Sequence, residues 1–366
     1  MNVFFRVDSS EKMGSGHLMR CLTLADRLRE NGCAVSFISR ELTGNMCSYI
    51  EKKGYTVYRL PSPESSSVNV SGELAHAGWL GTDWETDAEQ TIAVLKKEVI
   101  DWLIVDHYAL DLQWEAKMRP FVNKIMVIDD LADRKHDCDV LLDQNYNKNG
   151  SRYNGLVPEN CIQLLGPEYA LLRPQFREAR ENFKGENNEV KRVLVFMGGA
   201  DPTNETGKVL KAAKLLNRDN IAVDVVIGAS NPFKNEIKTM AKQMPNTTCY
   251  FDVNNMAELM SSADIGIGAS GTSTWERCCV GLPSIVMVLA DNQKEIAEEL
   301  EREGVVVNLG WHGDVTEIDI RDAVQNLLTD SNKRRGLGLK GKMMVDGDGV
   351  IRVGGKIIFS SEAVSE

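Results

Sequence analysis

Short apolar, β-rich runs alternate along this chain with segments whose apolar residues recur at helical spacing. Residues 2–7 form the first run, and Leu18, Cys21, Leu22, Ala25 and Leu28 then repeat with the period of an amphipathic helix. Residues 34–39, 55–60, 102–105, 124–128 and 139–142 read as further buried strands. Near-continuous apolar strands separated by helical segments predict a parallel sheet covered on both faces. A helical stretch reaching residue 183 and a polar run at 184–191 precede a second series of the same kind, with strands at 192–196, 222–227, 248–251, 264–268 and 284–289. A further helix is expected over 314–330. The chain therefore reads as α/β, with doubly wound domains at 1–183 and 192–332, a linker at 184–191, and a Gly- and Lys-rich tail at 333–366 whose packing the pattern leaves open.

Residues 62–89 interrupt the first series. The stretch begins Ser-rich but carries His76, Trp79, Leu80, Gly81 and Trp84, so it reads either as a substrate-side loop or as a packed surface loop.

Composition narrows the function classes. A formal net charge of −11 argues against a nucleic-acid binder, which needs clustered Lys and Arg to neutralise phosphates. No basic segment followed by an apolar one opens the sequence, and no apolar run approaches the ~18 residues of a membrane span, so a cytoplasmic protein without stable membrane association is expected. The eight cysteines lie scattered and read as reduced thiols. His136 and Cys138 form the one Cys/His cluster, but no second ligand pair accompanies them, and no metal or cofactor is expected.

Candidate chemistry gathers where strands pass into helices. Gly14 and Gly16 let the loop after the first strand approach a ligand, and the following helix presents N–H groups suited to an anion. His17 stands at that helix start, where the dipole disfavours an imidazolium and suits a proton acceptor, while Asp8 pulls the other way. The alternative is that the glycines only form a turn and His17 caps or packs. A dinucleotide fingerprint fits less well, because its third glycine falls at Met19 and only Glu41 is available as a ribose acid. Asp8, Asp106-His107-Tyr108 and Asp129-Asp130 end successive strands and face one cleft or, alternatively, cap helices and turns. In the second half Gly198-Gly199 reads as a tight turn, with Asp201 as helix N-cap and Pro202 as first helical residue. Ser270-Gly271-Thr272 opens a helix whose N–H groups and hydroxyls suit a diphosphate, with Glu276 one turn on for ribose hydroxyls; the bland reading is an N-cap followed by an exposed Glu. The Gly-Lys-Ser/Thr ending of a P-loop is absent. Asn292 and Gln293 offer polar contacts to a sugar.

Together with these features, Phe5-Arg-Val-Asp-Ser-Ser10, Gly14-Ser-Gly-His-Leu-Met-Arg-Cys-Leu-Thr-Leu-Ala25, Trp79-Leu-Gly81, Val105-Asp-His-Tyr108, Ile128-Asp-Asp-Leu131, Gly166-Pro-Glu-Tyr-Ala-Leu-Leu-Arg173 and Met197-Gly-Gly-Ala-Asp201 resemble one family through residues 2–293. It is the UDP-2,4-diacetamido-2,4,6-trideoxy-β-L-altropyranose hydrolases of pseudaminic acid synthesis, with the related spore-coat polysaccharide proteins. The resemblance implies two Rossmann-like domains in a GT-B arrangement with an interdomain cleft. It also implies metal-free hydrolysis of a UDP-sugar to UDP and the free sugar, with inversion at the anomeric carbon. His17 matches the family's catalytic histidine, and Arg6, Asp8, Tyr108 and Asp129 become candidates to position the sugar or orient His17. UDP is expected on Gly199, Asn231, Ser270, Gly271, Thr272 and Glu276, with Asn292 and Gln293 toward the sugar. A glycosyltransferase of the same fold and a non-catalytic nucleotide-sugar-binding protein remain rivals.

Overall fold

The computed structural model describes residues 1–62, 74–148, 150–181, 189–251 and 253–359. The chain divides into two units, Met1–Leu171 with Asp348–Glu366, and Leu172–Gly347. Most of the expected linker at 184–191 lies outside the described residues.

The first unit is built on β1 (Asn2–Val7), β2 (Ala34–Arg40), β3 (Thr56–Leu60), β4 (Ile100–Asp106), β5 (Val122–Ile128), β6 (Val140–Asp143) and β7 (Ile162–Leu165). They form a seven-stranded sheet in the order β3-β2-β1-β4-β5-β6-β7, paired in parallel throughout. Along β1, Val3, Phe5 and Val7 enter one core with Leu18, Leu22 and Leu28, while Phe4 enters the core on the other face with Leu103 and Trp114. Burial on both faces explains why β1 reads as a continuous apolar run. Strand order reverses between β1 and β4, and Val7 pairs with Asp106 there. Loops after these strands therefore meet at a topological switch point, the usual ligand crevice of an open parallel sheet.

The second unit carries β8 (Arg192–Phe196), β9 (Ala222–Ile227), β10 (Thr247–Phe251), β11 (Ile265–Ala269), β12 (Ser284–Val288) and β13 (Val306–Trp311). Their order is β10-β9-β8-β11-β12-β13, again parallel, with the reversal between β8 and β11. The turns after β8 and β11 thus lie side by side, so Gly198-Gly199 and Ser270–Thr272 occupy the same edge of the sheet.

The domain limits differ from those expected. The helix Pro174–Glu181 belongs to the second unit, and the tail is shared. Ser331–Met344 is helical and stays with the second unit, whereas Gly349–Phe359 returns to the first, where Val350, Val353 and Ile357 join the core beside Leu171. Glycine hides this second helix pair from sequence reading. A Cβ at Gly349 would lie 2.3 Å from the Ala170 carbonyl oxygen, and one at Gly338 2.5 Å from that of Gly281, so both glycines serve close backbone approach. In the interrupting stretch, residues 63–73 lie outside the described residues, and a helix already begins at Trp84, capped by the Asp83 side chain.

Candidate functional site

At the switch point of the first unit, Asp106 ends β4 fully buried and His17 stands one residue into the helix Gly16–Glu30. His17 Nδ1 lies 2.6 Å from Asp106 Oδ1. Arg20, one helical turn on, donates from Nε to Asp106 Oδ2 at 2.6 Å and from Nη2 to Oδ1 at 2.8 Å, then reaches Asp130 Oδ2 with Nη1 at 2.5 Å. Residues three apart share one helix face, which is how a single helix delivers both side chains to one carboxylate. Burial alone would raise the Asp106 carboxyl, but Arg20 and His17 hold it well below the usual carboxylate range, so it is ionised and accepts only. Nδ1 therefore carries a hydrogen toward Asp106, and in the neutral tautomer that this selects the lone pair lies on Nε2.

Tyr108 donates to the same Asp130 oxygen at 2.8 Å and meets the His17 ring edge-on, 4.6 Å between centroids. Trp79 stacks on Tyr108 at 5.6 Å, and His76 lies against Trp79 at 4.5 Å. The tryptophan of the interrupting stretch thus belongs to an aromatic wall beside His17. Gly14 has φ of +72° and its N–H bonds to the Ser10 carbonyl at 2.8 Å, making the tight turn expected before the helix; Gly16 is the first helical residue.

Arg6 and Asp8 occupy a different place. Both are fully buried and joined by bonds of 2.6 and 2.9 Å, and Asp8 also accepts the Arg40 N–H at 2.7 Å. Arg6 continues to Asp87 at 2.6 Å, and Arg40 bonds the same Asp87 oxygen at 2.7 Å. His107 packs its Nε2 3.3 Å from Asp8. Asp8 is thus bound within a structural charge network, and the carboxylate on His17 is Asp106. Asp129 is likewise fully buried; it accepts from Ala132 N at 2.9 Å and Tyr153 Oη at 3.1 Å, with Arg134 at 2.9 Å, and so braces the loop after β5. His136 pairs with Glu115 at 2.7 Å, and among the described residues no cluster of His, Cys, Asp or Glu is arranged to hold a metal ion.

Asp143, at the end of β6, takes Tyr153 Oη at 3.1 Å and Arg152 at 3.0 Å. Burial and the neighbouring Asp130 push its carboxyl up to about 7. From about pH 4 to that value the folded chain holds a proton that the unfolded chain has lost, so this group lowers stability as pH rises through the window. Asp143→Asn is expected to match wild type near pH 3, below the window, and to exceed it at pH 8 by about 1 kcal/mol or more in urea unfolding. A gap that does not grow with pH would show that the carboxyl is ionised in the fold.

In the second unit Asp201 accepts from Glu205 N at 2.8 Å and Thr206 N at 3.0 Å, although Asn204 is the positional N-cap and the helix starts at Glu205 rather than Pro202. Gly199 receives the Ser230 N–H at 3.1 Å, and a Cβ at Gly228 would lie 2.2 Å from its carbonyl oxygen. Asn231 spends its amide within this loop, on Phe233 N at 2.7 Å and Asp201 at 3.4 Å. Gly199 and Asn231 therefore shape the loop beside the second turn. That turn leads into the helix Ser273–Val280 with Thr272 at its N-cap position. Ser270 is buried with its hydroxyl unpartnered among the described residues. Gln293 comes to the same place, its Nε2 3.5 Å from where a Cβ of Gly271 would stand, while its Oε1 accepts from Leu289 N; Asn292 is exposed. Glu276 is partly exposed and 3.6 Å from Arg173. Its recessed position raises its carboxyl, and Arg173 works against that rise.

Arg20 and Arg173 are additions to the residues to which sequence reading gave a role. Asp106 and Asp130 stand among the strand-end residues expected at one cleft, without an assigned partner.

Residues 192–338 match the glycosyltransferase family 28 C-terminal domain. Over 309 residues the chain is 29% identical to the UDP-2,4-diacetamido-2,4,6-trideoxy-β-L-altropyranose hydrolase of Campylobacter jejuni, spanning 84% of this chain and 98% of that protein. It is 24% identical over 356 residues to the spore coat polysaccharide biosynthesis protein SpsG of Bacillus subtilis, spanning 96% of each. The crystal structure of MurG from Acinetobacter baumannii superposes with a TM-score of 0.68 at 14% identity, covering 97% of this chain and 99% of that one. Among the described residues no helix is long and apolar enough to cross a membrane. The chain is a GT-B-fold protein of two parallel-sheet α/β domains, similar along most of its length to the UDP-2,4-diacetamido-2,4,6-trideoxy-β-L-altropyranose hydrolase and to the spore-coat polysaccharide protein.

Proposed function

We propose that this protein hydrolyses UDP-2,4-diacetamido-2,4,6-trideoxy-β-L-altrose to UDP and 2,4-diacetamido-2,4,6-trideoxy-L-altrose, a step of pseudaminic acid synthesis. The observation that carries the reading is the Asp106–His17 pair at the switch point of the first unit, with Nδ1 held by the carboxylate. His17 Nε2 takes a proton from water as the water oxygen attacks the anomeric carbon. The bond from that carbon to the β-phosphate oxygen breaks, and its electron pair leaves with UDP. Attack opposite the leaving group inverts the anomeric centre. Asp106 stabilises the imidazolium that forms, and Arg20 fixes Asp106. UDP is a fair leaving group, so the step makes little demand on a general acid. Trp79, stacked on buried Tyr108, offers an aromatic surface beside the base for the sugar ring.

The second unit takes the nucleotide in this reading. Ser270, Gly271 and Thr272 with the helix start hold the diphosphate, and Glu276 accepts from ribose hydroxyls. Glu276→Ala is expected to weaken UDP and uridine alike by about tenfold or more, measured calorimetrically, because ribose contacts are common to both. Equal affinities in variant and wild type would remove Glu276 from the site.

The test of the whole reading is UDP release from the UDP-sugar in EDTA with no acceptor present. Hydrolysis predicts steady release; saturable UDP binding without release favours a transferase. That second reading is supported by the match to the family 28 glycosyltransferase domain, and added acceptor would then restore turnover.

A further inference from the structure

Arg277 lies beneath the hydroxyl-rich turn of the second unit, almost wholly buried. Its guanidinium donates to the Ala269 carbonyl at 2.8 Å, to Thr274 Oγ1 at 3.0 Å and to Ser273 Oγ at 3.0 Å. Among the described residues no carboxylate forms an ion pair with it, and its Nε has no partner. Burial pushes the guanidinium down to about 10, where it still carries its charge at neutral pH. Neighbouring Glu276 lends it some favourable field without pairing with it, and a buried cation with no direct ion pair is costly.

The strand beneath is packed closely against this side chain and its neighbours. A Cβ at Gly268 would lie 2.5 Å from the Phe196 carbonyl oxygen and 2.7 Å from Arg277 Nη1, and one at Gly266 2.9 Å from Leu282 Cδ2 and 3.1 Å from Arg277 Cδ. Neither glycine has positive φ, so both are there for space rather than for backbone freedom. The hydrogen bonds also have a direction. Ser273 and Thr274 accept from Arg277, which leaves their own hydroxyl protons to be donated. Thr274 lies 3.4 Å from the Ala269 carbonyl, whereas Ser273 is partly exposed at the first helical residue. Buried Ser270 next to it adds an unpartnered hydroxyl.

We infer that Arg277 is a positioning residue for the diphosphate: it clamps the end of β11 to the helix start around residues 270–272, turns the Ser273 hydroxyl proton outward, and supplies the fixed positive charge that the bound diphosphate neutralises. The inference rests on the nucleotide reading given above. It separates Arg277 from Glu276, since the first acts on phosphate and the second on ribose.

The experiment compares UDP with uridine, which lacks the diphosphate, by calorimetry on the full chain and its variants. Arg277→Met is expected to lose about tenfold or more in UDP affinity while uridine affinity stays within about twofold, and Arg277→Lys to recover part of the loss. A merely structural arginine would lower the melting temperature and move both ligands together. An unchanged ratio of UDP to uridine affinity in a folded Arg277→Met therefore overturns the inference and leaves the nucleotide reading standing. Should Arg277→Met not fold, Arg277→Lys and Ser273→Ala decide, each expected to weaken UDP several-fold at constant uridine affinity; no change in either overturns it. Wild type binding neither UDP nor uridine would overturn the nucleotide reading, and this inference with it.

Discussion

His17→Ala should bind UDP as wild type does and lower turnover of the UDP-sugar by about 10²–10⁴-fold, the range that a positioned general base contributes. Nothing in the fold needs the imidazole for support: it lies on the edge of its aromatic neighbours, and Asp106 keeps Arg20 without it. Asp106→Asn should cost nearly as much. An amide at that position retains the shape but presents a donor as readily as an acceptor, so the imidazole loses both its orientation and the charge that stabilises its protonated form. Arg20→Met should show a smaller loss, since it acts on Asp106 and not on the water. A His17→Ala enzyme keeping more than a tenth of wild-type turnover would mean that the base lies elsewhere. A fall in UDP affinity matching the loss of rate would point to a binding role instead.

The largest effect on stability is expected from Asp87→Ala. Asp87 accepts from Arg6, from Arg40 and from Trp114 Nε1 at 3.0 Å, and it is fully buried with both arginines. Its removal leaves the Arg6 guanidinium with Asp8 as its carboxylate partner and the Arg40 guanidinium with the Pro61 carbonyl. Breaking such a buried pair costs about 3–5 kcal/mol, although the intact network is not for that reason a large net gain. Urea unfolding of the variant should show that loss, and one below about 1 kcal/mol would mean that water reaches the arginines. The pH dependence has a definite sign. Burial works to raise both carboxyls, but Arg6 with its neighbours holds Asp8 and Asp87 below their ordinary values. Their contribution is therefore complete above about pH 4, where the unfolded carboxyls are ionised, and is lost as pH falls further. Asp87→Ala should flatten that acid limb.

The same pair of variants marks what the sequence made legible. Parallel sheets follow from runs such as residues 2–7 and 192–196, continuously apolar because the strands are buried, and the histidine at a helix start from the apolar period after Gly16; the strand orders with their two switch points come from the fold alone. Strands β7 and β13 escape that pattern. The first is a short edge strand with Ile162 and Gln163 exposed, and the second pairs irregularly with β12 and carries Gly310 at φ +88°. Partners distant in sequence were hidden for a different reason. Arg6, Asp8 and Asp129 look like ligand residues because polar groups at strand ends usually are, yet each bonds a group tens of residues away, Asp8 through the Arg40 backbone N–H. Spacing along the chain cannot tell a carboxylate aimed at a ligand from one consumed by an arginine on a neighbouring strand.

The return of Gly349–Phe359 to the first unit governs how this protein is made. Val350, Val353 and Ile357 complete a core whose other members are all translated before Leu172. At ordinary elongation rates the intervening Leu172–Gly347 occupies the ribosome for about 10–35 s. Throughout that interval the core of the first unit lacks Val350, Val353 and Ile357, whereas the second unit is continuous in sequence. The unit begun first is thus the one finished last, because the helix that closes its core follows the whole of the second unit in sequence.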